Sequence, residues 1–300
     1  MPSRILLTGC SGFVGSHLAD KECVYRRVVR SKTRGKSDFF VDSIDADTDW
    51  TGAFDNIDCV IHLAGLAHSA EYSEEDFKRV NTLGTINLAR SAAMSGVKRF
   101  VFVSTVGVLG GATSGAKFSS VSLPNPQSPY ALSKYIAEQS LKKLASELPL
   151  EVVIVRPPLV YGDQAPGNFG RLVSAIRRLN YLPFGLARNK RSFISVNNLV
   201  DFLLLCSCHS KAVGKCFLVS DGEIQSTRSF CDDIAKGLGK SLVQLPVPVL
   251  ILRFFLRLIG RRHLAVQLFD DLVLDISDSC QALNWTPPYK QIEEMKKLSK

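Results

Sequence analysis

Arg4-Ile5-Leu6-Leu7-Thr8-Gly9-Cys10-Ser11-Gly12-Phe13-Val14-Gly15 is the stretch whose reading decides the fold. Arg4 to Thr8 is a short aliphatic and β-branched run, and the residues from Ser16 to Glu22 have helical character. Strand, glycine turn and helix in that order make a dinucleotide fingerprint. Gly9 permits the tight turn, Gly12 lets backbone approach a pyrophosphate, and Gly15 lets the helix pack close to the strand. The helix N-terminus would then face the phosphates with its partial positive charge. A bare glycine triplet is often only a turn, so the flanking elements carry the argument.

Moving outward, a second strand is expected at about Tyr25 to Arg30, ending in Arg30-Ser31-Lys32 rather than in an acidic residue suited to a ribose 2′-hydroxyl. A basic end favours a 2′-phosphate and hence NADP; simple solvated charge is the alternative, and both stay open. Asp58 to Ala64 and Arg99 to Ser104 are apolar runs with polar bounds, as parallel strands buried on both faces should be. Between them Glu75 to Gly96 carries Phe77, Val80, Leu83, Ile86, Leu88 and Ala92 at helical spacing. Alternating strands and helices up to about residue 160 predict an α/β fold, a Rossmann-type doubly wound parallel sheet.

Within Ser128-Pro129-Tyr130-Ala131-Leu132-Ser133-Lys134 a phenol and an amine stand four residues apart at an expected helix start. At about 3.6 residues per turn they share a face, so the ammonium can favour a phenolate that would otherwise form only near pH ~10. Alone, such a pair is usually an ordinary surface feature. Ser104 and Thr105 end a predicted strand, where ligands of open parallel sheets gather. A hydroxyl there can hold a substrate oxygen against Tyr130, or merely cap the strand.

Glu151 to Val155 reads as a further strand, and Arg156-Pro157-Pro158 stops the sheet. Beyond it come an expected loop at Asp163 to Gly170, a helix at Arg171 to Leu179 and a strand at Arg191 to Val196. Residues 1–162 are therefore assigned to a nucleotide-binding domain and 163–300 mainly to a substrate lobe, with the chain free to cross back to the sheet. Leu242 to Ile259 is very apolar, but Pro246, Pro248, Arg253 and Arg257 break it as a membrane span. A core-facing amphipathic helix is favoured; contact with an anionic membrane through Arg253, Arg257, Arg261 and Arg262 is the alternative.

In a chain of 300 residues, 46% hydrophobic content suffices for a sizeable core, and a formal charge of +9 suits an anionic partner. No helix-turn-helix or aromatic stacking pattern points to nucleic acid. The eight cysteines are scattered, without Cys-x-x-Cys or a His cluster at metal spacing, so they read as reduced, mostly buried hydrophobes and no metal is expected. The N-terminus runs directly into a strand without a signal-peptide pattern, which favours the cytoplasm.

The ordered set Gly9/Gly12/Gly15, His62-Leu63-Ala64-Gly65, Asn81-Thr82-Leu83-Gly84-Thr85, Ser104-Thr105, Tyr130/Lys134, Arg156-Pro157 through Tyr161-Gly162 and Arg191 to Val196 resembles the extended short-chain dehydrogenase/reductases. Within them the chain is most similar to the NAD-dependent nucleotide-sugar epimerase/dehydratase group, near the UDP-hexose and UDP-N-acetylhexosamine 4-epimerases and the 4-keto-sugar reductases of surface-polysaccharide synthesis. The likeness runs over about residues 4 to 290. It implies a catalytic triad of Thr105, Tyr130 and Lys134. It implies NAD or NADP held by Gly9, Gly12, Phe13, Val14 and Gly15, by Arg30, Ser43 and Ile44, and by Leu63, Ala64 and Gly65. Asn81, Ser104, Tyr130, Lys134 and Pro157 complete that set. Thr105, Tyr130, Asn168, Phe184 and Arg191 are the implied contacts for a UDP-sugar, and a homodimer through the helices carrying Asn81 and Tyr130 is implied as well.

Two positions depart from the group. Ser43 stands where an acidic residue near adenine is usual, and Leu109 replaces a common tyrosine. His68 is read as a turn cap rather than a substrate contact. C4 epimerisation through a 4-keto intermediate is the favoured activity, and reduction of a 4-keto sugar the alternative, for which Arg30 and Lys32 argue. Dehydration is disfavoured, because Val106-Gly107 lacks the acidic pair that elimination of water needs. A non-catalytic dinucleotide sensor is the reading from another class, and the intact triad opposes it.

Overall fold

The computed structural model describes residues 4–30, 38–66 and 72–299. Ser31, Lys32 and His68 lie outside the described residues.

The chain begins with β1 (Ile5–Thr8), α1 (Phe13–Ala19), β2 (Val24–Val29), β3 (Asp38–Phe40) and β4 (Cys59–His62). Helix α1 starts three residues earlier than the expected Ser16, because Gly15 lies inside its first turn rather than ahead of it. A side-chain carbon on Gly15 would lie 2.0 Å from the Gly9 carbonyl oxygen, so only glycine allows the helix to start so close to the strand. Gly9 has φ +72° and presses on the backbone of Leu63 and Ala64, which any side chain would meet at under 3 Å.

Next come α2 (Glu74–Phe77), a π-helical segment (Lys78–Gly84) and α3 (Thr85–Met94), one continuous helical run where a plain α-helix is expected over 75–96. Ser73 opens it with a capping box to Asp76. The wider turn falls where Gly84 packs on the Ile44 carbonyl, 2.7 Å from where a side-chain carbon would sit. β5 (Arg99–Val103), α4 (Pro129–Glu147) and β6 (Glu151–Arg156) follow. Helix α4 starts where Pro129 needs no amide partner and the Ser128 hydroxyl accepts from the Ala131 amide at 3.2 Å.

The second part contains β7 (Leu159–Tyr161), α5 (Gly167–Arg178), β8 (Tyr181–Leu182), β9 (Arg191–Ser195), α6 (Val196–Cys208) and β10 (Cys216–Leu218). Then come β11 (Ile224–Gln225), α7 (Thr227–Gly237), β12 (Val243–Gln244), α8 (Val249–Leu258), α9 (Arg262–Phe269), α10 (Ser277–Leu283) and α11 (Gln291–Lys296). Helix α5 begins four residues ahead of the expected Arg171, since Pro166 serves as its N-cap; Asn168 therefore sits on a helix, not in a loop. Val196 opens α6 instead of ending β9, because the Ser195 hydroxyl accepts from the Asn198 amide.

Strands order as β10-β6-β5-β4-β1-β2-β3 in one seven-stranded sheet whose pairings are all parallel. One face packs Leu88, Ala92 and Leu141 of α3 and α4 on Phe100 and Phe102; the other packs Leu18, Leu199 and Phe202 of α1 and α6 on Ile61 and Val101. This is the doubly wound architecture. Each fully buried phenylalanine of β5 contributes roughly 1.5–3 kcal/mol. A three-stranded sheet, β11-β9-β7, and helices α5 and α7 close over the carboxyl end of the large sheet around Phe169, Phe193 and Phe230.

Candidate active site

Thr105 follows the end of β5, and Tyr130 is in the first turn of α4. Both line a cleft of about 680 Å³ that is also lined by Asn168 on α5, Phe184 after β8 and Arg191 at the start of β9. Residues distant in sequence thus converge where parallel strands end. The Thr105 hydroxyl oxygen accepts from the Gly107 amide at 3.1 Å and caps a short 3-10 turn, Val106–Val108. That bond leaves the hydroxyl proton for another acceptor.

Lys134 lies one turn beyond Tyr130, is buried, and donates from Nζ to the Val103 carbonyl at 3.0 Å while sitting 4.6 Å from the centre of the Phe102 ring. Burial pulls its ammonium down to about 8, partly offset by the Glu138 carboxylate. Burial pushes the Tyr130 phenol up to about 12. The expectation that the amine lowers the phenol is not met in the protein alone: burial is what shifts the phenol, and it shifts it upward. The Phe77 ring stands edge-on to Tyr130 at 6.0 Å and contributes to that apolar wall.

Behind the triad lies a network that sequence reasoning missed. Glu138 is fully buried one turn past Lys134 and receives hydrogen bonds from Arg156 Nε (2.9 Å), Arg156 Nη2 (2.5 Å) and the Ser104 hydroxyl (2.5 Å). The Lys134/Glu138 spacing was its one local signal. Ser104, expected at the cofactor, commits its hydroxyl to this carboxylate. Pro157 accepts at its carbonyl from the Val106 amide and so fixes the turn after Thr105.

Asn81, in the π-helical segment, is buried and clamps the backbone of Leu66 from both sides: its Oδ1 accepts from the Leu66 amide (2.7 Å), and its Nδ2 donates to the Leu66 carbonyl and to Ser133 Oγ (3.2 Å each). A side-chain carbon on Gly65 would lie 2.8 Å from Asn81 Oδ1 and 3.5 Å from Lys134 Nζ, so the Leu63-Ala64-Gly65 segment runs from the glycine turn to the Lys134 amine. His62 beneath it bridges Thr8 (2.7 Å) and Thr85 (2.9 Å), and burial with the nearby Lys134 ammonium pulls it down to about 3.

The remaining expected cofactor residues follow β1, β2 and β3 in turn. Phe13 is half-buried against His17 at 5.4 Å, Val14 packs on the sheet, and Arg30 is exposed just after β2. The exposed Ser43 donates to Asp45 at 2.5 Å, and the Ile44 carbonyl is the surface on which Gly84 rests. Leu109, which replaces the group's common tyrosine, is buried with Val106, Leu218, Leu272 and Leu274 and is not among the residues lining the cleft.

Arg191 is buried, and its Nη1 donates to the carbonyls of Asp270 (2.8 Å) and Val266 (3.3 Å). Burial lowers its guanidinium to about 10, opposed by Asp270 and Asp271, so it stays charged at neutral pH. Asn168 donates through Nδ2 to Gln267 of α9. Such a cleft, lined by a phenol, a hydroxyl and a fixed cation, suits a ligand with a reactive hydroxyl at one end and negative charge at the other.

The sequence profile described as the NAD dependent epimerase/dehydratase family matches residues 5–219. The chain belongs to that family. Among its members, a UDP-glucose 4-epimerase of Vibrio cholerae is 39% identical over all of this chain and 95% of its own length. The crystal structure of a UDP-glucose 4-epimerase from Thermotoga maritima with UDP-glucose covers 98% of this chain and 96% of its own, at 25% identity and TM-score 0.77. A UDP-glucuronic acid 4-epimerase from Bacillus cereus in complex with NAD covers 98% and 95% with TM-score 0.78; at 20% identity that likeness is one of fold. The likeness of fold thus extends past the profile match, over 98% of the chain.

Proposed function

We propose that this protein interconverts the C4 epimers of a UDP-hexose or UDP-N-acetylhexosamine through a 4-keto intermediate. One observation carries the reading: Tyr130 and Thr105 line a single cleft together with Asn168, Phe184 and Arg191. Identity of 39% to a UDP-glucose 4-epimerase over the whole chain supports it.

The glycine turn fits a dinucleotide. A side-chain carbon on Gly12 would lie 3.2 Å from the Gly9 carbonyl, and α1 opens without a side-chain cap, so its first amides are available to phosphate. NAD held by Gly9 to Gly15 and Leu63 to Gly65 would supply reversible hydride acceptance. Within this chain Tyr130 takes the proton of the C4 hydroxyl and later returns it, while Thr105 orients that hydroxyl through its own free proton. Lys134, anchored on Val103, keeps positive charge one turn from the phenol. Arg191 and Asn168 meet the diphosphate, and Phe184 the base. Such positioning contributes several kcal/mol to the lowering of the barrier.

Reduction of a 4-keto sugar with NADPH is the second reading, favoured by the exposed Arg30 at the end of β2, where a 2′-phosphate would lie. Purified protein given UDP-glucose or UDP-N-acetylglucosamine, with and without NADPH, separates the two. Interconversion without net cofactor use supports epimerisation; stoichiometric NADPH loss on a 4-keto sugar supports reduction, and neither would leave the sensor reading. Leu132 and Ile136, exposed one turn apart on α4, support a homodimer through the helices carrying Asn81 and Tyr130. Eight unpaired cysteines suit a cytoplasmic location.

A further inference from the structure

Helix α8 has two apolar faces, and the rest of the lobe uses only one. Val249, Leu252 and Leu256 pack on Ala187, Ala265 and Phe269, and Arg253 on the same side pairs with Asp270. A turn of about 3.6 residues sets Leu250, Phe254 and Leu258 on the opposite side, with Ile251 and Phe255 beside them. Leu250 is 79% exposed, Leu258 65%, and Phe254 and Phe255 59% each. Ile259, just past the helix, extends the patch. A single exposed leucine needs no explanation, but a contiguous apolar face of this size does.

The segment that carries it is basic, although Lys236 pairs with Asp233 and Arg253 with Asp270 at its ends. Between Asp233 and Asp270 the sequence has no Asp or Glu, yet it holds Lys236, Lys240, Arg253, Arg257, Arg261 and Arg262. Arg257, Arg261 and Arg262 are exposed at the end of the apolar face. We propose that this face docks on an anionic phospholipid membrane, with Leu250, Phe254, Phe255 and Leu258 at the acyl boundary and the three arginines on lipid phosphates. A second copy of the chain fits less well, since a like-to-like contact would bring these arginines together with no acid in the segment to receive them. At ten residues α8 lies on a bilayer and does not cross it, and no helix among the described residues is long and apolar enough to cross one. Arg261, His263 and Leu264, which follow α8, line the substrate cleft, so docking brings the cleft rim to the headgroup layer.

Sedimentation of the whole protein with vesicles tests this, using phosphatidylcholine alone and phosphatidylcholine mixed with phosphatidylglycerol. The mixed vesicles should bind the protein at least about tenfold better, and high salt should weaken that binding. Phe254→Ser with Phe255→Ser, and separately Arg257→Glu, should each reduce binding by about tenfold or more while melting temperature and turnover of soluble substrate stay unchanged. Equal or absent binding to both vesicle types would overturn the proposal, as would wild-type binding by the double serine variant. Loss of self-association in that variant without lipid, measured by analytical ultracentrifugation, would instead assign the face to a second copy. Vesicle binding is read without substrate, so failure of the epimerase reading leaves this result standing.

Discussion

Glu138 and Arg156 form a two-bonded ion pair sealed from solvent, with side chains 0% and 5% exposed, one helical turn beyond Lys134. The pair ties α4 to β6, and through Ser104 to the end of β5. Glu138→Gln leaves a buried guanidinium uncompensated and should cost about 3–5 kcal/mol of stability by urea unfolding. It should also act on Lys134: the carboxylate raises the ammonium, so its loss lowers Lys134 below about 8 and moves the alkaline limb of the kcat profile to lower pH. A limb that stays in place would separate the pair from the site.

The proposed reaction assigns proton transfer to Tyr130, whose hydroxyl can be removed with little change in packing. Tyr130→Phe should lower kcat by roughly 10²–10⁴-fold while NAD affinity and melting temperature stay close to wild type. Turnover at wild-type rate would exclude the phenol as the proton acceptor. Thr105→Val, which keeps the shape and loses the oriented hydroxyl, should lower kcat less than Tyr130→Phe.

What could be read from the chain divides along the line between local and long-range. The glycine turn and the Tyr130/Lys134 spacing are legible because each acts within a few residues, and the alternation of strands and helices set the doubly wound sheet. Glu138 escaped because its partners arrive from elsewhere in the chain, Ser104 from just past β5 and Arg156 from β6, and its spacing from Lys134 alone does not distinguish it from a surface acid on a helix. Pro166 reads as a breaker and serves as a cap, so α5 begins earlier than its periodicity implies. The π-helical turn at Asn81 depends on Gly84 meeting Ile44, a contact invisible in sequence. In α8, apolar composition alone could not tell which face the lobe would cover.

Arg191 has two duties that a pair of variants can separate. Its guanidinium holds the Val266 and Asp270 carbonyls and also faces the cleft. Arg191→Ala should raise KM for a UDP-hexose by about tenfold or more and also lower the melting temperature, since two carbonyls lose a charged donor. Arg191→Lys keeps the charge but not the fork, and should recover part of KM and less of the stability. An unchanged KM in both variants would remove Arg191 from the substrate site.

His62 gives the fold an acid limit. Its ring stays neutral, with Thr8 on one nitrogen and Thr85 on the other, and burial holds it at about 3, against about 6.5 in an unfolded chain. Below pH ~6.5 the unfolded state therefore takes up a proton that the folded state refuses, and stability falls as pH drops toward about 3; above pH ~6.5 the effect vanishes. The slope from this one group is at most about 1.4 kcal/mol per pH unit. Urea unfolding at about pH 7.5 and about pH 5 should show a decline that is smaller by about 2 kcal/mol in His62→Gln, whose amide can still bridge the two threonines. Parallel declines in the two proteins would mean that His62 titrates as an ordinary exposed histidine, contrary to its burial between β4 and α3.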